Sequence, residues 1–142
     1  GSEPVFLAIL NGSFIFAADL MREIELSAQI SFVKLASYVG TSSTGSVCEM
    51  IGLNVDISGR DVVVVEDIVD SGLTMKYVTE MLAKYNPRSI SICTLLLKPG
   101  NLKVDLDIPY KCFSIPNDFI LGYGLDYDGY GRNTRDIYTV VE

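Results

Sequence analysis

The chain has 142 residues, 49 % of them hydrophobic, which is enough for one domain with a real core. Its 18 acids against 11 Lys and Arg give a net charge of −7, which argues against a nucleic-acid or acidic-membrane surface. A small anionic ligand stays open, because distant surface charge is screened over about 8 Å at physiological salt. The absence of histidine excludes serine–histidine–aspartate hydrolysis, histidine general bases and histidine-bound metals together. Acid–base work falls to Asp, Glu, Lys or Tyr, and any metal must be a hard, oxygen-liganded one such as Mg²⁺.

No apolar stretch approaches the roughly 20 residues of a membrane-spanning helix, and no signal peptide is legible, so a cytoplasmic protein is expected. Cys48, Cys93 and Cys112 are odd in number and far apart, with no Cys-x-x-Cys pair to suggest zinc. Cys93 and Cys112 lie in strand-like apolar surroundings and are expected to be buried, reduced thiols.

Gly1-Ser2 is set aside as a tag remnant. Val5 to Leu10 reads as a strand buried on both faces, ending in the turn Asn11-Gly12-Ser13. A helix from Phe14 to about Arg22 follows, with Ser13 as its N-cap. Gly12 at a strand's carboxyl end allows backbone N–H groups to approach a ligand, although an ordinary βα turn fits equally well. Ile30 to Tyr38 and Val47 to Leu53 read as strands joined by the small polar stretch 39–46, a long hairpin with a flexible tip. Beside a cleft such a loop is a lid over a reactive intermediate; otherwise it is a plain linker.

The centre of the chain is Val62-Val63-Val64-Val65-Glu66-Asp67-Ile68-Val69-Asp70-Ser71-Gly72-Leu73-Thr74. Four valines in a row are too apolar for a half-exposed strand and too β-branched for a helix, so they predict a central buried strand. After the turn, Met75, Val78, Met81, Leu82 and Tyr85 share one helical face, and Asn86-Pro87 closes the helix. A helix N-terminus preceded by Ser71 and Thr74 suits a phosphate, without being a Walker loop. Glu66 and Asp67 are acceptors for a vicinal diol or, through water, Mg²⁺, and Asp70 lies between the two subsites.

Ser89 to Leu97 predicts a third buried strand that delivers Lys98 just before the breaker Pro99-Gly100. A lysine there is either plain solvation or a ligand contact at the sheet's binding edge. Lys111 to Ile115 and Ile137 to Val141 read as short strands around a segment dense in Gly, aromatics and acids, Pro116 to Tyr127, followed by Arg132. The sum is a single α/β domain over 1–142 with a mostly parallel central sheet flanked by helices.

The stretch from Val63 to Thr74 resembles the phosphoribosyl pyrophosphate (PRPP) motif of type I phosphoribosyltransferases. Leu96-Leu97-Lys98-Pro99, the segment Phe119 to Tyr127 and Arg132 narrow the resemblance to the hypoxanthine(-guanine) branch in its bacterial form, over nearly the whole chain. The resemblance implies a small C-terminal base-binding subregion and an Mg²⁺-dependent reaction in which a 6-oxopurine and PRPP give a nucleoside monophosphate and pyrophosphate. It implies Asp70 as general base for the purine N7 proton, and Asp70, Ser71, Gly72, Leu73 and Thr74 as the 5′-phosphate turn. Glu66 and Asp67 would face the ribose hydroxyls and Mg²⁺, with Asp126 as a further metal ligand. Lys98 would donate to the 6-oxo group, Phe119 would stack on the base and the Ile120 backbone would read its edge. Asn11, Gly12 and Arg132 would bind pyrophosphate, and Ser37 and Tyr38 match the mobile loop. A homodimer or homotetramer is implied as well. Asn11 stands where some relatives carry Lys, and the chain starts almost at its first core strand, where relatives have an additional N-terminal segment. The rivals are a phosphoribosyltransferase for another base and a regulator that binds PRPP as an effector.

Overall fold

A computed structural model describes residues 3–39 and 46–140. The order of elements is β1 (Val5–Leu10), α1 (Phe14–Glu23), β2 (Gln29–Val39), β3 (Ser46–Ile51), β4 (Asp61–Val69), α2 (Leu73–Ala83), β5 (Ser89–Leu97), β6 (Tyr110–Ser114), β7 (Ile120–Leu121) and β8 (Tyr138–Thr139). The main sheet runs β3-β2-β1-β4-β5-β6, with every neighbour parallel except the β2–β3 hairpin. The mostly parallel sheet expected from the continuous apolar runs is therefore present.

The period-two alternation of the central strands feeds two cores. Val5, Leu7, Ile9, Val62 and Val64 face α2, which buries Met75, Val78 and Leu82 among them. Phe6, Ala8, Val65, Cys93 and Leu95 face the other way, against Phe16 and Ala17 of α1. Right-handed crossovers dictate this split. From the adjacent central pair, β1 leads outward through α1 to β2, and β4 leads outward the other way through α2 to β5. The helices therefore lie on opposite faces, and a crevice opens at the carboxyl ends of β1 and β4, where ligands of open α/β sheets bind.

Four details differ from the sequence reading. Helix α2 stops at Ala83, and Tyr85 beyond it is half exposed, because the chain leaves the helical path at Asn86 with φ 56°. Ser13 does not cap α1 with its side chain; its Oγ donates back to the Ile9 carbonyl at 2.5 Å. Cys93 is buried as expected, whereas Cys112 lies on the edge strand β6, whose residues are all exposed. Finally, β8 is only two residues long and pairs with β7 in a separate antiparallel ribbon. Ser37 and Tyr38 lie in the paired part of the β2–β3 hairpin, opposite Cys48 and Val47; the expected flexible tip falls outside the described residues. No helix among the described residues is long and apolar enough to cross a membrane.

Candidate active site

The β1–β4 pairing ends at Ala8–Val65, where β4 begins to run beyond its neighbour. Beyond that point side chains accept from the β4 backbone. The Asp67 N–H donates to Glu66 Oε1 at 3.0 Å, and the Ile68 N–H donates to Asp67 Oδ1 at 2.7 Å. The two neighbouring carboxyls lie side by side but meet different surroundings. Glu66 continues the Val62–Val64 side and is 7 % exposed. Burial, and then the Asp67 carboxylate beside it, push its carboxyl well above the usual range. Asp67 faces the β1 turn, and its Oδ2 lies so close to Gly12 that a Cβ there would overlap it. Gly12 is thus required by close approach. It lets the turn after β1 lie directly against an acid of β4.

Beyond β4 the chain turns through Asp70-Ser71-Gly72 into α2. Gly72 holds φ 86°, a left-handed conformation that a Cβ would strain, and the Ser71 Oγ accepts from the Leu73 N–H at 3.3 Å. Helix α2 has no acid in its first turn, so none of its own side chains there offsets the positive end of its dipole. A small pocket of about 90 Å³ opens there, lined by Glu66, Asp70, Ser71, Gly72 and Thr74 among others. Its size, free N–H donors and hydroxyls fit a phosphate group.

Next to it lies a cleft of about 290 Å³ lined by Asp67, Asp70, Lys98, Phe119, Ile120 and Asp126, with Ile68 and Leu125. Residues delivered by three separate stretches of chain therefore converge. Lys98 is not the solvated lysine that its place after a strand allows. It is 8 % exposed, and its Nζ sits 3.6 Å from Asp70 Oδ2. Phe119 keeps a free face, 59 % exposed, and stands edge-on to Tyr127 with ring centroids 5.8 Å apart. Asp126 accepts the Gly129 N–H at 2.9 Å and pairs with Arg132 at 3.4 Å. Arg132 also donates to the Gly124 carbonyl at 2.8 Å, and Gly124 packs against the Gly12 carbonyl, so Arg132 is tied to the Asn11-Gly12 turn.

Glu66, Asp67 and Asp126 do not form a preformed metal cage: no group of three or more potential ligands gathers among the described residues. Glu66 lines the pocket at α2, Asp67 meets the β1 turn, and Asp126 stands on the far wall of the cleft. The sequence reading missed Asn101, whose Nδ2 donates to Asp70 Oδ1 at 2.7 Å. It also missed Tyr127 beside Phe119. No spacing signal could have found Asn101, which lies 31 residues from its partner.

A strand–acidic turn–helix at the switch point of a parallel sheet, faced by the segment from Phe119 to Asp126, is the arrangement of one class of transferases. The model of the phosphoribosyl transferase domain matches residues 1–128, and the chain belongs to that family. Within it, the chain is similar to the hypoxanthine-guanine phosphoribosyltransferase of Mycobacterium tuberculosis H37Rv, 44 % identical over 99 % of this chain and 70 % of that protein. It is also 45 % identical to the hypoxanthine phosphoribosyltransferase of Escherichia coli K12, over 89 % of this chain and 72 % of the relative. A crystal structure of a hypoxanthine-guanine phosphoribosyltransferase from Bacillus anthracis superposes with a TM-score of 0.91 at 42 % identity, covering 99 % of this chain and 84 % of that one.

Proposed function

We propose that this protein acts in purine salvage, transferring phosphoribosyl from PRPP to a 6-oxopurine, hypoxanthine and also guanine, with release of pyrophosphate. The observation that carries the reading is one cleft in which Asp70, buried Lys98 and the open face of Phe119 meet beside a phosphate-sized pocket. In this reading the purine stacks on Phe119, its edge is read by the Ile120 backbone, and Lys98 donates to O6. Adenine offers an amino group there, and a buried donor left facing a donor discriminates strongly. The purine N9 lone pair forms the bond to C1′ as the C1′–oxygen pair departs with pyrophosphate, and the N7 proton passes to Asp70. The Asp70-to-Thr74 turn, including the Leu73 backbone, holds the 5′-phosphate, and Asn11, Gly12 and Arg132 face the pyrophosphate.

The donor set suits Mg²⁺, which is held by one or two carboxylates together with waters and substrate oxygens rather than by a protein cage. Asp126 would contact it, with Glu66 and Asp67 reaching it or the ribose hydroxyls through water. Bound there, it would supply positive charge to offset that of the leaving pyrophosphate. A single domain in a homodimer or homotetramer completes the reading, in the cytoplasm, where the free thiols Cys93 and Cys112 suit a reducing environment.

The test is nucleotide formation from PRPP and Mg²⁺ with hypoxanthine, guanine, xanthine and adenine offered separately. Turnover of oxopurines without adenine is expected, and Asp70→Asn should lower the rate by about 10²–10⁴-fold, the range of a lost general base. PRPP binding with no turnover of any base would instead mark an effector-binding regulator.

A further inference from the structure

The proton acceptor of the proposed reaction is a half-exposed side chain on a turn, and something must hold it still. Asp70 is 50 % exposed and has two carboxylate oxygens with unequal partners. Oδ2 faces Lys98 Nζ at 3.6 Å, beyond a good hydrogen bond, whereas Oδ1 accepts from Asn101 Nδ2 at 2.7 Å. An ionised carboxylate only accepts, so the Asn101 amide must present its NH₂.

Asn101 is itself held by a frame. It ends the 3₁₀ turn Pro99–Asn101, closed by its own N–H on the Lys98 carbonyl at 3.1 Å. On one side of it the Lys98 N–H donates to the Val69 carbonyl at 2.9 Å, and on the other the Lys103 N–H donates to the Ser71 carbonyl at 2.8 Å. These two bonds tie the segment 98–103 to the residues that immediately flank Asp70. The amide is thus aimed at the carboxylate by backbone on both sides, which is the condition for a second layer of residues to fix a reacting group.

We propose that Asn101 is the positioning residue for Asp70, clamping Oδ1 so that Oδ2 is the oxygen presented to the purine. The inference rests on the reading of Asp70 as general base. When a base binds, Lys98 turns its donor to O6 and Oδ2 is released for the N7 proton, leaving Asn101 as the partner that keeps the carboxylate in place. A neutral amide suits this task. It orients the acceptor without adding a second full positive charge, which would stabilise the carboxylate and make it a poorer base.

Single-turnover rates on Asn101→Ala, Asn101→Asp, Asp70→Asn and the double variant Asp70→Asn/Asn101→Ala test it, with thermal unfolding of each as a check on folding. Asn101→Ala should lose about tenfold in rate, as small misplacements of reacting groups do, with KM for PRPP and hypoxanthine changed by less than about twofold. Asn101→Asp keeps the shape and loses the donor, so it should fall further, whereas a residue that only built the turn would tolerate it. On the Asp70→Asn background, Asn101→Ala should add nothing, because it acts through Asp70. Wild-type rates in both Asn101 variants, or a full additional loss in the double variant, would overturn the inference alone. A wild-type rate in Asp70→Asn would overturn it together with the reading beneath it.

Discussion

Glu66 and Asp67 are adjacent acids with the same chemistry and different physics. As sequence they read as a pair, because nothing in two consecutive letters says which of them the fold will bury. The fold buries Glu66 to 7 % exposure beside Asp67 and raises its carboxyl well above the usual value. In the ligand-free protein its charged form is therefore the costly one. Below the unfolded value of 4.5 the group is protonated in both states and imposes no penalty. As the pH rises above 4.5 the unfolded chain gives up the proton first, and stability is lost through the folded group's higher range. Glu66→Gln keeps the Oε1 acceptor for the Asp67 N–H and has no proton to lose. It should raise the thermal midpoint of the ligand-free protein at pH 8, with the gain closing as the pH falls toward 4.5. Unfolding curves across pH would read this directly, and a gain that did not vary with pH would assign the effect to packing instead. Lys98 shows the same limit on legibility. Its place after a strand was clear, but its burial depends on the Asp70 turn and the Phe119 segment folding over it.

At the scale of elements most of the fold was legible, because the signals are local. Apolar runs mark β1, β4 and β5, β-branched in β4, and the three- and four-residue repeat marks α2. Hidden from the sequence was what one element does to another. Ser13 looked like the cap of α1 and instead ties the turn back to β1. Tyr85 looked like the last residue of a buried face, but the helix ended before it. Cys112 looked buried because its strand is apolar, yet an edge strand with no helix over it stays open. The Ser13 tie has a consequence for the site, since it fixes the turn that lays Gly12 against Asp67. Ser13 is fully buried, so Ser13→Ala removes a donor and leaves the Ile9 carbonyl short of a partner. A loss of about 1–2 kcal/mol is expected in urea unfolding, with an unchanged denaturant slope. A rise in KM for PRPP should accompany it, because the turn is then free to drift from β4. A stability loss with KM unmoved would show that the turn is held by its contacts with Asp67 and Gly124 alone.

The molecule as a whole carries seven more negative than positive charges, yet its proposed substrate is a polyanion. The sequence states this conflict and the geometry sharpens it. The cleft's two cations are already committed, Lys98 to Asp70 at 3.6 Å and Arg132 to Asp126 at 3.4 Å. Asp70 and Asp126 therefore offset the cations nearest the proposed pyrophosphate site. What is left for recognition, besides the partly offset Arg132, is the N-terminal end of α2, the backbone at Asn11-Gly12, and whatever positive charge arrives with the substrate. A divalent ion arriving with the substrate and held by the site's carboxylates would resolve the conflict, because the acids would then attract the complex rather than repel the anion. The expected outcome is a strong dependence of binding on metal. PRPP at about 100 times its dissociation constant should stabilise the protein by about 2.7 kcal/mol when Mg²⁺ is present. The same PRPP concentration in a chelator should give only a small fraction of the thermal shift. Inorganic phosphate, which needs only the α2 pocket, should give a weak shift that chelation does not change. Thermal unfolding with the two ligands, each with Mg²⁺ and with chelator, separates the cases. An equal PRPP shift in the two buffers would mean that Lys98 and Arg132 leave their carboxylates on binding and carry the polyanion themselves.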